Sequence, residues 1–465
     1  MADDLPDLLA ELGHVVGPHH VLVDPDTRAP FERDWTGRFG GPATAVVRPS
    51  TTDEVVAVVD ACRAAGMAMV VQGGNTGLVG SGVPGPGCAS TPPPIVVSTT
   101  RLGELGEPDT VAGQVTAGAG VSLGRLQVAA AAAGLAFPVD LAARHSATVG
   151  GMVATNAGGL HVLRYGSMRA QVLGVEAVLG TGVVVSRLGG LVKDNTGYDL
   201  SQLLVGSEGT LGIITAARLR LVPALGERTV VLMGLDSVAA ALDVVTVLGR
   251  RAEGLEAAEV FFAEGLAVVR AHGGLPAPLP HGWPVYLVIE CATATDRSET
   301  LFDALVDLDL DDAATAVATD GPGRERLWAY RERHTEAVAA LGVVHKLDVA
   351  LPLALLAPFE SQVRAAVASA DPDARVILWG HLGDGNIHVN VIGPGPDDDT
   401  TDEAVVRLVA GLGGSISAEH GIGRAKSQWL PLVRTDGERQ TLAAVKAALD
   451  PAGVLNPGVL LPLDP

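Results

Sequence analysis

Three glycine-rich stretches in the first 212 residues constrain this chain more than any other feature. They are Gly73-Gly74-Asn75-Thr76-Gly77, then Gly150-Gly151 with Gly158-Gly159, then Gly206-Ser207-Glu208-Gly209-Thr210-Leu211-Gly212. Glycine permits positive φ and lets backbone N–H groups approach a ligand without a Cβ in the way. Successive inward N–H groups hold a phosphate without side-chain cations. That matters here because Lys+Arg 32 stand against Asp+Glu 53, a net charge of −21. Such a chain repels phosphate backbones and anionic lipid, which excludes nucleic acid and polybasic membrane binding. Any anionic ligand must be met by local groups.

The first loop sits in a diagnostic place. Residues 43–49 predict a strand, Thr51-x-x-Glu54 a capping box, and the apolar period to Ala65 a helix closed by Gly66. A second strand, Met67–Val71, runs into the glycine loop. A dinucleotide fingerprint places its glycines between the first strand and the helix, not after the crossover. No GxxxxGK[ST] occurs either, so neither a Rossmann site nor a P-loop is written here. Val172–Leu179 and Val183–Ser186 read as a hairpin about Gly180-Thr181-Gly182, and Ile213–Val222 as a strand.

At 465 residues the chain predicts two domains, 1–222 and 223–465, divided at Pro223, with about 447–465 returning to the first. Beyond Pro223, apolar strands alternate with Ala-rich helices, giving an α+β class. Cys62, Cys88 and Cys291 show no CxxC spacing, which excludes an iron–sulfur cluster, a zinc finger and a disulfide framework. The N-terminus lacks a basic, cleavable leader, and Val121–Leu135 is too short to span a bilayer. A soluble cytoplasmic protein is expected.

Residues 376–391 read VILWGHLGDGNIHVNV. Asp384-Gly385 predicts a two-residue type I′ turn, which would set His381 directly opposite His388. Opposed imidazoles can chelate one divalent ion, whereas a lone histidine is more often an ordinary satisfied side chain. Asn390 shares the face of His388. Ser417-Ala418-Glu419-His420-Gly421 offers Glu419 as a third ligand. Two histidines and one carboxylate leave a coordination position open; zinc leads, with manganese, iron and cobalt also allowed by ligand type. On the predicted helix through 324–338, Trp328, Arg331 and Thr335 fall on one face. Arg331 suits a two-pronged carboxylate grip, although so charged a helix equally supports solvated Arg–Glu pairs. In a strand Val343–Leu351, Lys346 shares a face with Asp348 and adds a point charge.

QGGNTGLVG at 72–80, PVD at 138–140, TVGGMVATNAGG at 148–159, RYGS at 164–167 and KDNTGYDLSQLLVGSEGTLGIIT at 193–215 resemble the vanillyl-alcohol-oxidase-type flavoproteins, in their D-2-hydroxyacid dehydrogenase branch. The resemblance implies a two-domain α+β flavoprotein: a non-Rossmann FAD-binding domain and an α+β substrate, or cap, domain. It puts the 72–80 loop on the pyrophosphate and the 147–159 and 206–214 segments around the flavin. The implied cofactor contacts are Gln72, Gly73, Gly74, Asn75, Thr76, Gly77, Leu78, Pro138, Asp140, Thr148, Gly150, Gly151, Asn156, Gly158, Glu208, Gly212, Ile214 and Asn456. It agrees on His381, His388 and Glu419 as metal ligands, makes His420 the base, and places Arg331, Thr335, Lys346, Asn390 and His420 against substrate. Ala147 and His161 depart from the cysteine and arginine that relatives often carry.

The implied reaction is FAD- and metal-dependent oxidation of a D-2-hydroxyacid to the 2-oxo acid, hydride passing to flavin N5 and the proton to His420. D-2-hydroxyglutarate is the expected substrate, with D-lactate or glycolate as the alternative. A non-catalytic flavin- or metal-binding protein is the reading from another class, and a base such as His420 argues against it. Expected partners are the hydroxyacid, a separate electron acceptor (a flavoprotein or quinone) and a second copy of the chain. Covalent relatives use a His or Cys beside these loops, and none lies within Gln72–Gly82. Purified protein should therefore show a flavin spectrum and release all of its colour on acid precipitation; a colourless preparation, or colour retained in the pellet, would contradict this.

Overall fold

The structure, a computed structural model, describes residues 5–85, 92–295, 298–308 and 312–462; Cys88 lies outside the described residues. It divides into two compact units. The first comprises Met1–Gly158, Ser167–Pro223 and Glu419–Pro465; the second comprises Gly159–Gly166 and Ala224–Ala418. The chain re-enters the first unit at Glu419, well before residue 447. Arg424 explains the early return, donating through Nη1 to the carbonyls of Gly80 and Val83 at 2.6 Å each. The short excursion 159–166 was not anticipated. It is fixed by Arg164 Nη1 on the Ala292 carbonyl at 2.7 Å and Tyr165 Oη on Glu256 at 2.6 Å.

In the first unit, β1 (Val21–Leu22), β2 (Ala45–Val47), β3 (Met69–Gln72) and β4 (Ile95–Ser98) form a sheet in the order β1-β2-β4-β3. The predicted strand–helix–strand is present, but β4 lies between its two strands, each parallel to it. The helix Thr52–Ala64 buries Val55, Val58, Val59 and Cys62, the stripe its period predicts. Its cap is half of the expected box: Thr51 accepts from Glu54 N, while Glu54 reaches Ser50 N at 2.6 Å. A second sheet runs β5 (Gln114–Gly118), β9 (Gly212–Arg220), β7 (Val172–Leu179), β8 (Val184–Ser186), and contains the predicted β7–β8 hairpin. β6 (Leu135–Ala136) and β10 (Val222–Pro223) pair separately.

The second unit is built on an antiparallel sheet of β11 (Glu227–Leu235), β12 (Leu255–Phe262), β13 (Val285–Thr293), β14 (Thr315–Ala318), β15 (Val344–Ala350), β16 (Arg375–His381) and β17 (Asn386–Ile392). Its order is β14-β11-β13-β12-β16-β17-β15. Phe261 stacks on Tyr286 with centroids 5.2 Å apart and packs with Leu232, Val288 and Ile377 in or beside its core. β15 is an edge strand, and residues 415–418 lie along it through reciprocal bonds between Ala350 and Ser415. The predicted helix through 324–338 is two helices, Gly321–Glu332 and His334–Ala339, separated at Arg333. Among the described residues no helix is long and apolar enough to cross a membrane.

Candidate active site

The histidine strands depart from expectation in register. His381 pairs with Asn386, and His388 with Trp379. A type I′ turn needs positive φ at both central residues, yet only Gly385 has it, at 84°. After His381 the chain keeps bonding to β12, with Leu382 N on the Ala258 carbonyl at 2.8 Å. Four residues therefore form the loop. Because His388 lies two positions beyond Asn386, the two histidines still share a face, as diagonal neighbours. Their ring centroids are 5.4 Å apart at 78°.

Each imidazole is held from behind by a buried carboxylate. Glu259, opposite His381 in the β12–β16 register, accepts from His381 Nδ1 at 2.6 Å. Asp348, opposite His388 in the β15–β17 register, lies 3.4 Å from His388 Nδ1. Asp348 Oδ1 also accepts from Asn386 Nδ2 at 2.7 Å, and its Oδ2 from Ala418 N at 3.1 Å. This fixes the chain one residue before Glu419. A carboxylate bonded to Nδ1 of His381 and another facing Nδ1 of His388 leave Nε2 as the nitrogen each ring could offer a metal, an arrangement typical of metal-ligating histidines. The donor set thus fits a divalent ion.

Arg331 is neither exposed nor paired along its own helix. It is 6% exposed, and its Nη2 meets Glu259 Oε2 at 2.8 Å. Burial alone would raise the Glu259 pKa, but His381 and Arg331 hold it below the usual carboxylate range. Arg331 Nε is buried with no hydrogen-bond partner, a donor still to be satisfied. Lys346 pairs with Asn390 across β15 and β17, and burial pushes its pKa down to about 8. Asn390 donates weakly to the Ile377 carbonyl at 3.3 Å. Thr335 is half-buried on the second of the two short helices. Arg331, Thr335, Lys346, Asn390, His381 and His388 belong to the second unit, Glu419 and His420 to the first.

Within the first unit the glycine loops close on one another. A Cβ on Gly74 would fall 1.7 Å from the Ser146 carbonyl oxygen, and one on Gly73 2.4 Å from Thr148 Oγ1. Gly150 lies against Ala119, where a Cβ would come within 2.7 Å, and Gly212 less closely against the Val178 carbonyl, at 3.1 Å. Gly158 abuts the carboxylate of Glu419, where a Cβ would lie 2.2 Å from Oε1. Gly77, by contrast, faces open space, and Thr76 and Leu78 beside it are half-buried. Asn75, Asn156, Glu208 and Asn456 all hold positive φ, between 43° and 52°, a conformation that concentrates at functional sites. Their side chains fasten the loops: Asn75 to the Arg33 carbonyl at 2.8 Å, Asn156 to Arg169 N at 2.8 Å, Asn456 to Val71 N at 2.8 Å. Gln72 does the same through the Gly82 carbonyl at 2.7 Å, and Asp140 is paired with Arg144. Pro138 and Ile214 are buried. Thr148 Oγ1 and Ser207 Oγ are buried polar atoms without a partner. Backbone-lined loops with unsatisfied hydroxyls fit a phosphate-bearing cofactor.

The sequence pattern does not mark Glu259 as a site residue, and it marks Asp348 only as sharing a strand face with Lys346. The available signal was a pair of glutamates, Glu256 and Glu259, inside an otherwise apolar strand, LEAAEVFF.

The chain matches two family models: "FAD binding domain" over residues 43–187 and "FAD linked oxidases, C-terminal domain" over 226–460. It is 38% identical to a mitochondrial D-2-hydroxyglutarate dehydrogenase of Bos taurus, covering 98% of this chain and 84% of that one. It is 36% identical to a D-2-hydroxyglutarate dehydrogenase of Xanthomonas citri, covering 97% and 96%. Among solved structures it resembles 4-ethylphenol oxidase from Gulosibacter chungangensis (TM-score 0.77, 17% identity, 99% and 98% covered). It also resembles p-cresol methylhydroxylase (TM-score 0.76, 14% identity, 99% and 98% covered). Those likenesses show the fold. Glu259→Gln should weaken zinc binding about 10- to 100-fold, read as metal retained after dialysis against graded chelator; an unchanged retention curve would remove Glu259 from the metal site.

Proposed function

We propose that this chain, which belongs to the FAD-linked oxidases and is an FAD-dependent oxidoreductase, oxidises a D-2-hydroxyacid to the 2-oxo acid, with D-2-hydroxyglutarate as substrate. The observation that carries the reading is the polar face of the second unit's sheet. Lys346, Asp348, His388 and Asn390 lie there in register, with Glu259 and Arg331 behind His381. Two cations suit a substrate with two carboxylates, and the named relatives support that choice.

In the proposed reaction the 72–80, 147–159 and 206–214 segments would hold FAD, the two-electron oxidant. His381, His388 and Glu419 would hold a divalent ion, zinc in the first instance, which when bound would supply Lewis acidity toward a hydroxyl. Glu259 and Asp348 keep both imidazoles in the orientation that presents Nε2. Arg331 and Lys346 grip the carboxylates, and Asn390 and Thr335 fix the remaining polar atoms, so that substrate enters as one oriented conformer. His420 takes the hydroxyl proton as C2 is oxidised. Electrons then leave to a separate acceptor, a flavoprotein or a quinone.

A second reading, a short monocarboxylate such as D-lactate or glycolate, is favoured by the Arg331–Glu259 pair. That pair already balances the guanidinium charge and leaves Lys346 as the principal grip. Anaerobic stopped-flow with D- and L-2-hydroxyglutarate, D-lactate and glycolate separates the two. D-2-hydroxyglutarate is expected to bleach the flavin fastest and its L-enantiomer to leave it oxidised. Faster bleaching by D-lactate or glycolate would select the second reading, and no bleaching by any of them would overturn both.

The pH dependence follows from Lys346. Its ammonium is charged below about 8 and lost above it, so KM for the dicarboxylate should rise as pH passes that value. Lys346→Gln should raise KM at neutral pH and flatten this alkaline rise. A rise that persists in the variant would assign it to another group.

A further inference from the structure

Glu208 lies in the 206–214 segment proposed to surround the flavin, yet its buried side chain is engaged by Ser81, Ile422 and Gly423 of the first unit. It is 4% exposed and holds φ at 51°, a conformation a glutamate keeps only where its surroundings impose it. Its backbone is fixed at both ends: Glu208 N bonds the Ala154 carbonyl at 2.8 Å, and the Glu208 carbonyl accepts from Asn456 Nδ2 at 2.6 Å. The side chain then takes three hydrogen bonds. Ile422 N reaches Oε1 at 2.8 Å, Gly423 N reaches Oε2 at 2.8 Å, and Ser81 Oγ reaches Oε2 at 2.6 Å. Gly421 packs so closely that a Cβ there would lie 2.8 Å from Glu208 Cδ.

The segment so gripped carries no regular secondary structure, and Gly421 and Gly423 hold φ at 85° and 56°. Helix or strand hydrogen bonds therefore do not set its course. Two successive N–H groups pointing at one buried carboxyl group do, since buried donors are held by the acceptor they find. This segment begins Glu419-His420, so the grip lies two and three residues past the base.

We infer that Glu208 is a positioning residue: it orients His420 through the backbone of Ile422 and Gly423. The inference deepens the functional reading and rests on it for the role of His420. A glutamate that merely stabilised the fold would lower the melting temperature and leave the folded enzyme's chemistry alone. A positioning residue changes kcat while substrate binding, which belongs to Arg331 and Lys346, stays near normal. Glutamine cannot substitute, because one of its two acceptors becomes an NH2 that opposes an N–H donor.

The test uses full-length holoenzyme carrying Glu208→Gln, with Ser81→Ala as a milder variant that removes one of the three donors. Hydrogen exchange read by mass spectrometry should rise about tenfold or more in the peptide covering 419–424 of Glu208→Gln, with residues 375–392 unchanged. Ser81→Ala should move the same peptide in the same direction by less. For the hydroxyacid that bleaches the wild-type flavin, kcat should fall about tenfold or more in Glu208→Gln, with KM within about threefold and the pH profile of kcat displaced. Unchanged exchange in both variants overturns the inference. So does wild-type kcat in a variant whose 419–424 peptide exchanges faster, or a rise in KM alone. If Glu208→Gln does not fold, Ser81→Ala decides by the same criteria. Should the wild-type flavin bleach with no hydroxyacid, the functional reading fails, and the exchange result still decides whether Glu208 holds the segment.

Discussion

The carboxylate of Glu259 is the pivot of the second unit. One oxygen takes the imidazole of His381 and the other the guanidinium of Arg331, in surroundings that leave the glutamate 1% exposed. Burying an ion this deeply is unfavourable unless its partners are complete, and removing one partner strands the rest at a cost of about 3–5 kcal/mol. The three groups therefore stand together. A proposed metal ligand and a proposed substrate cation are coupled through one glutamate, so neither can be repositioned without the other.

The same device recurs in a chain whose net charge is −21. Asp348 serves His388, Asn386 and the backbone at Ala418. Glu256 and Glu290 close on Arg228, and Glu290 also takes Trp328 Nε1 at 2.6 Å. Glu208 holds the backbone after His420. Acidic side chains here are internal scaffolding for imidazoles, guanidinium groups and N–H groups. The proposed phosphate-binding task falls instead to backbone in the glycine loops, which need no side-chain charge.

Much of this was legible in the chain itself. The position of the first glycine loop after its strand excluded the common nucleotide folds, and the β7–β8 hairpin and the helix Thr52–Ala64 follow their local patterns. Lys346 and Asp348 share a face because alternation is a local property of a strand. What escaped was set at long range. The Asp384-Gly385 signal suggested a tight turn, but the pull of β12 on Leu382 lengthened the loop and moved His381 from opposite His388 to a diagonal position. Glu259 stands 122 residues from His381, a pairing that sheet order alone decides. The charged helix around Arg331 supports a substrate grip and a solvated Arg–Glu pair equally, because its partner Glu259 lies on another element. The point of return to the first unit was misjudged for the same reason: Glu208 and Arg424 fix it from distant loops.

We propose that buried carboxylates present His381 and His388, through Nε2, to one divalent ion. X-ray absorption at the zinc edge of purified, zinc-loaded protein tests it most directly. The expected spectrum has nitrogen and oxygen neighbours at about 2.0–2.1 Å, with the outer-shell scattering of two imidazoles and no sulfur. A spectrum without imidazole scattering, or with sulfur in the coordination shell, would contradict it.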